Sequence, residues 1–299
     1  MTGRAFLGIM LAATAATPLA SQPPRAAPTA EQRAEQERRY QEELRAPRPI
    51  EAAKSIWTDE LTWMEVRDAI AAGTTTVIIP TGGVEQNGPY LTTGKHNVIL
   101  RGVCEVIAGK LGHALCAPVV AFVPEGDIEP RTGHMKFPGT ISLKEETFKL
   151  LLDDIASSYA ANGFTEIILI GDSGGNQSGL EATAATLNAR WKGGKAVARY
   201  IPEFYQYDKM VAYMNKELGV VEPKDDGLHD SYWIAALMMV VDPASVRYDQ
   251  RVAAGKTTIN GLDLAPKDAT IALGRKLMAY RADQTVRAIA AARQVKGTW

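Results

Sequence analysis

Residues 77–97 read VIIPTGGVEQNGPYLTTGKHN. Val77, Ile78 and Ile79 continue a β-branched stretch that begins at Thr74, the pattern of a strand buried on both faces. Pro80 and the Gly82-Gly83 pair end it. The backbone then enters a glycine-rich loop carrying Glu85, Gln86, Asn87, Lys95 and His96, a density of chemically capable side chains matched nowhere else in the chain. Open α/β sheets bind ligands in loops at the carboxyl ends of their strands. The remaining sequence is therefore read for what converges on this loop.

Outward from it, strands and amphipathic helices alternate. Thr58 is the expected N-cap of a helix carrying Trp63, Val66 and Ile70 and stopping at Gly73. After the loop, Val98, Val103, Ile107 and Leu111 mark a helix ended by Gly112, and Ala114 to Val123 reads as the next strand. Residues 123–139, VPEGDIEPRTGHMKFPG, hold too many turn residues for regular structure and are read as a functional or oligomer-facing loop. Ser142 to Glu145 fits a capping box for a helix ending at Asn162-Gly163. Glu166 to Ile170 is a buried strand running into Gly171-Asp172-Ser173-Gly174-Gly175-Asn176, and a helix follows to about Trp191. Val197 to Ile201 is a further strand. Residues 206–218, 228–240 and 266–293 read as helices. The alternation predicts an α/β fold with a mostly parallel sheet covered on both faces.

The chain has 299 residues, a formal charge of -1 and 46% hydrophobic content, enough for one large α/β domain. The neutral balance argues against a nucleic-acid binder, which carries a basic stripe. No apolar run approaches the ~20 residues of a membrane-spanning helix. Residues 1–21, with Arg4, an apolar run and a small-residue end at Leu19-Ala20-Ser21, read as an export signal, so the expected location is periplasmic or secreted. Residues 22–50 read as a charged arm rich in Ala, Pro and Glu, and residues 51–299 are expected to form the folded domain. The two cysteines, Cys104 and Cys116, lack metal-type spacing. They are expected as buried thiols, with a disulfide as the alternative.

Two strand ends carry polar glycine loops. If their strands are parallel neighbours, Glu85, His96 and Asp172 face one crevice. Carboxylates with an imidazole suit zinc, manganese or iron. A phosphate cradle is a poor rival, because TGGVEQNG has neither G-x-G-x-x-G spacing nor a P-loop Lys-Ser/Thr. Gly171 to Gly175 matches G-x-S-x-G, which admits Ser173 either as a nucleophile or as a helix-capping residue. His229 and His134 are each either acid–base groups near the crevice or satisfied turn histidines.

Four ordered segments within residues 57–245 resemble the creatininase family of metal-dependent amidohydrolases. PTGGVEQNGPYL is similar to that family's P-x-G-S-x-E-Q-H-G-P-H-L, and GHMKFPGTISL to its H-x-x-F-P-G-T-I-S-L. GFTEIILIGDSGGN falls on G-F-x-x-I-x-x-x-N-G-H-G-G-N, and Gly227-Leu228-His229 with Met238 and Pro243 on H-A-G-x-x-E-T-S-x-M-L-x-x-x-P. The resemblance implies a three-layer α/β/α sandwich, a site often holding two ions, hydrolysis of small cyclic or linear amides, and a homo-oligomer. It implies that Glu85 binds metal and that His229 shuttles protons. Three ligand positions depart from the pattern: Asn87 and Ser173 stand where the family has histidines, and His96 where it has an aspartate.

Either the ligands were exchanged or the site decayed. Exchange is the better account, since His96 is itself a ligand type and Asp172 restores a carboxylate beside the lost histidine. The expectation is then an exported hydrolase of a small amide, lactam or other cyclic C–N bond, with one divalent ion, zinc before manganese or iron, on Glu85, His96 and Asp172. His229 would be the general acid and base, Asp230 would orient it, His134 would touch substrate, and the Gly174 and Gly175 N–H groups would hold the oxyanion. The alternatives are a binding or assembly protein with a degenerate site, and a serine hydrolase using Ser173.

Overall fold

The computed structural model describes residues 27–294; the expected export signal lies outside them. The chain divides into two compact units, Met1–Pro47 and Arg48–Trp299. In the first, helix α1 (Ala30–Arg45) is closed by a capping box between Thr29 and Gln32 and buries none of its residues.

In the second unit, α2 (Trp63–Ala71) precedes β1 (Thr76–Thr81), α3 (Lys95–Leu111), β2 (Ala114–Cys116), α4 (Glu145–Ala161) and β3 (Glu166–Gly171). Then come α5 (Gln177–Arg190), β4 (Val197–Tyr200), α6 (Tyr207–Glu217), α7 (Tyr232–Val241) and α8 (Tyr248–Ala253). A hairpin of β5 (Thr258–Ile259) and β6 (Leu262–Asp263) leads into the long α9 (Lys267–Gln294). The central sheet has four strands in the order β2-β1-β3-β4, all parallel.

Side-chain alternation along the strands makes three layers. Ile78, Ile168 and Ile170 join the apolar faces of α3, α7 and α9 on one side of the sheet. Val77, Ile79, Ile167 and Leu169 pack with Phe148, Leu152, Leu180 and Leu187 on the other. The sheet is thus buried on both faces, which is why β1 and β3 read as unbroken apolar runs. Parallel pairing brings Thr81 level with Gly171, so the two polar loops open side by side.

Several local expectations need correction. α2 starts at Trp63 behind a Thr62–Glu65 capping box, and Thr58 begins a separate 3₁₀ turn. β2 stops at Cys116, because Pro118 cannot donate to a ladder. Ser142 does not cap α4; its hydroxyl donates to Gly126 O (2.6 Å) and accepts from Glu125 N (2.9 Å), pinning the loop opposite. α7 starts at Tyr232, leaving His229 on the loop before it. Cys104 and Cys116 form a disulfide. The register explains it: Cys116 is level with Ile78 and shares its core with the inner face of α3, where Cys104 lies.

Candidate metal centre

Glu85 is the hub. It follows β1 in the glycine loop, where its N–H donates to Thr93 O (2.9 Å), and it is only 2% exposed. Its Oε1 takes the Lys95 ammonium at 3.0 Å and His96 Nε2 at 2.8 Å. Lys95 and His96 are the first two residues of α3, so the turn at Gly94 that starts the helix also aims both side chains at Glu85.

Glu85, His96 and Asp172 do converge, but in a line. His96 lies between the carboxylates, Nε2 toward Glu85 and Nδ1 toward Asp172 Oδ2 at 2.9 Å. Asp172 also pairs with Arg281 and accepts from Tyr207 Oη (2.8 Å). Both ring nitrogens of His96 and both oxygens of Asp172 are therefore engaged within the protein.

The ligand atoms that gather around a common point belong to Glu85, His134 and His229, all within 4.8 Å of one another. His134 Nε2 lies 3.1 Å from Glu85 Oε2, and His229 Nε2 lies 3.9 Å from Glu85 Oε1. The two imidazoles stack with centroids 4.4 Å apart. His229 adopts a left-handed conformation (φ 57°), and its Nδ1 donates to the Gln86 carbonyl at 2.8 Å. That bond leaves the Nε2 lone pair free, the usual backing of a ligating histidine. Gln86, rather than Asp230, orients this ring; the Asp230 carboxylate packs instead over Gly88, where an added Cβ would come within 2.4 Å of Oδ2. His134 comes from a 3₁₀ turn, Gly133–Lys136, within the turn-rich loop 123–139. The side chains of His134 and His229 are 32% and 42% exposed against 3% for Glu85, so the centre opens to solvent on the histidine side.

Electrostatics follow from these contacts. Burial opposes ionisation of Glu85, but the hydrogen bond and charge of His96, with Lys95, hold it well below the usual carboxylate range. Burial likewise opposes a charge on His96, yet Asp172 and the hydrogen bonds to both carboxylates raise its pKa. Burial also works against the Asp172 charge, but Arg281 and His96 draw its pKa down to about 2. His134 is lowered, chiefly by burial, which favours the neutral ring that a metal needs.

Glu125, which sequence reasoning does not single out, completes the floor. It is buried and accepts from Ser173 Oγ (3.1 Å) on Oε2, while its Oε1 finds no hydrogen-bond partner among the described residues. Burial first, and then the Glu85 charge, push it up to about 8. Gly83 makes room for it, since a Cβ there would fall 2.0 Å from Glu125 Oε1. Ser173 is thus a donor to a carboxyl group. Gly174 and Gly175 lie exposed at the turn before α5.

Two imidazoles and a carboxylate with an open side suit a divalent ion, the donor set of hydrolytic zinc sites. The observed geometry fits such an ion.

Comparison with known proteins agrees with this architecture. The family model for creatininase (creatinine amidohydrolase) matches residues 59–289. Creatinine amidohydrolase from Pseudomonas putida is 30% identical over 118 residues, 40% of this chain and 45% of that protein. A mycofactocin precursor peptide peptidase from Mycolicibacterium smegmatis is 31% identical over 125 residues, 40% of this chain and 47% of that protein. The chain thus spans about half the length of the curated relatives it matches. A solved creatinine amidohydrolase (creatininase) has a TM-score of 0.53 at 24% identity, covering 82% of this chain and 100% of that one, which shows a shared fold. With its model matched across most of the second unit, the chain belongs to the creatininase family.

Proposed function

We propose that this chain is a metal-dependent hydrolase that cleaves an amide-type C–N bond in a small substrate. The observation that carries the reading is the convergence of Glu85, His134 and His229 at a solvent-open point. These three would hold the ion, and zinc is the best match to two imidazoles and one carboxylate. When bound, a divalent ion supplies Lewis-acid polarisation of a carbonyl and lowers the pKa of water.

The chain's own residues set up that chemistry. His96 and Lys95 hold the Glu85 carboxylate ionised and fixed, and the Gln86 carbonyl fixes the His229 ring. His96 and Asp172, expected as ligands, are assigned to this supporting layer. The N–H groups of Gly174 and Gly175 are assigned to the oxyanion that forms as the carbonyl is attacked. The relatives named as an amidohydrolase and as a peptide peptidase support a C–N bond as target and leave the substrate open. Export is also proposed: a disulfide suits an oxidising compartment.

The test is metal analysis of the purified full chain, with turnover of a panel of small lactams, imides and linear amides. One zinc, manganese or iron per chain is expected. Glu85→Ala and His134→Ala should each lose the metal and bring turnover to background. A protein without stoichiometric metal, or activity indifferent to both substitutions, would sink the reading in favour of a binding protein.

A further inference from the structure

Arg281 lies midway along α9, 109 residues beyond Asp172, yet its guanidinium ends at the centre. Nε donates to the Phe204 carbonyl (3.0 Å), the guanidinium stacks 3.8 Å over the Phe204 ring, and NH2 pairs with Asp172 Oδ1. Tyr207, on α6, donates to the same oxygen at 2.8 Å. The other oxygen of Asp172 faces His96, whose far nitrogen reaches Glu85. Arg281, Asp172, His96 and Glu85 are each exposed by 4% or less, so no solvent relaxes the line at any link.

We propose that Arg281 is a positioning residue for the metal centre. It fixes Asp172, Asp172 fixes the His96 ring, and His96 holds Glu85 Oε1, leaving Oε2 turned toward His134. This rests on the reading of Glu85, His134 and His229 as the ligands. A planar guanidinium anchored by Phe204 on one side has one orientation in which to meet Asp172, which a flexible ammonium would not have. Tyr207 supplies a second fixed contact. The line therefore transmits the placement of α9 to a ligand carboxylate that the Arg281 side chain does not itself contact. Groups behind metal ligands commonly change affinity by ~10–100-fold when removed.

The rival is a plain structural ion pair tying α9 to the end of β3. The fold provides its own control, because Arg293 on α9 also pairs with Glu166 (2.6 Å) at the start of β3, the opposite end of the strand. Zinc affinity of the full chain is measured by competition with a chromogenic chelator, alongside thermal unfolding of the metal-free protein. Arg281→Met should weaken zinc binding at least ~10-fold, with Arg281→Lys intermediate. Tyr207→Phe, which removes one hydroxyl and leaves the ring, should weaken it by a smaller factor. Glu166→Gln should lower the unfolding temperature and leave zinc affinity unchanged. If Arg281→Met fails to fold, Arg281→Lys and Tyr207→Phe decide the matter. Unchanged zinc affinity in the folded Arg281 and Tyr207 variants, or an equal loss in Glu166→Gln, overturns the inference while the metal centre stands. Wild-type protein that takes up no zinc, manganese or iron overturns the functional reading, and the inference with it.

Discussion

Ser173 sits in a motif whose readings differ by the partner of one hydroxyl. Its G-x-S-x-G setting invites a nucleophile, but its hydroxyl donates to the Glu125 carboxyl group. Ser173→Ala should therefore keep hydrolytic activity within about tenfold of wild type, whereas loss of a nucleophile costs on the order of 10⁶ in kcat; steady-state kinetics on any substrate found in the panel separates the two. The sequence points to Glu85, His96, Asp172, His134 and His229, which the fold links through Glu85 and His96 into one cluster. It does not say which present free ligand atoms. That depends on ring orientation: His96 is flanked on both nitrogens, while a left-handed backbone and the Gln86 carbonyl turn His229 outward. Glu125 is illegible for another reason. A single acid in a turn-rich loop has no pattern, and its burial depends on Gly83 and Ser142, which are distant in sequence.

Among the elements, the pair α7 and α9 sets the shape of one layer. They approach so closely at Gly274 that a Cβ there would fall 2.1 Å from the Ala236 carbonyl. Backbone cannot give way as a flexible side chain can, so Gly274→Ala should destabilise by about 1–3 kcal/mol, read as a lower denaturant midpoint. The same push on α9 would displace Arg281, about two helical turns further along. Strands β1 and β3 are plain in the sequence because burial on both faces makes their middles, residues 77–80 and 167–170, unbroken apolar runs. Helix starts are less legible: reading Thr58 as the cap passes over Thr62, whose hydroxyl accepts from Glu65 N while the Glu65 side chain bonds back to Thr62 N, a capping box. The β5–β6 hairpin escapes a reading by alternation although Asn260-Gly261, both at positive φ, is a strong two-residue turn signal. Its strands are two residues each, too short to show a period.

At the scale of the molecule, the Cys104–Cys116 disulfide closes a short segment of chain between α3 and the sheet, with a sequence separation of 12. Constraint of the unfolded chain predicts that Cys104→Ser with Cys116→Ser loses roughly 2–4 kcal/mol, and that a reducing agent lowers the unfolding temperature of wild type toward that of the double variant. Calorimetry with and without reductant checks both. Spacing alone could not announce the bond. It requires knowing that the inner face of α3 and the inner face of β2 line the same core. No described helix is long and apolar enough to cross a membrane.

The parallel direction of the sheet has a consequence for the field within the centre. Helices α3 and α5 both begin beyond the carboxyl ends of β1 and β3, so their amino-terminal ends, each equivalent to about half a positive charge, lie where the two loops open. Lys95 and His96 sit at the start of α3 against that potential, an unfavourable place for cations that Glu85 and Asp172 neutralise. The proposed ligand histidines lie on the solvent side of this potential, with the start of α3 buried beneath them. Negative charge placed where the two loops open would be favoured by the backbone itself, a polarity set when the strands aligned.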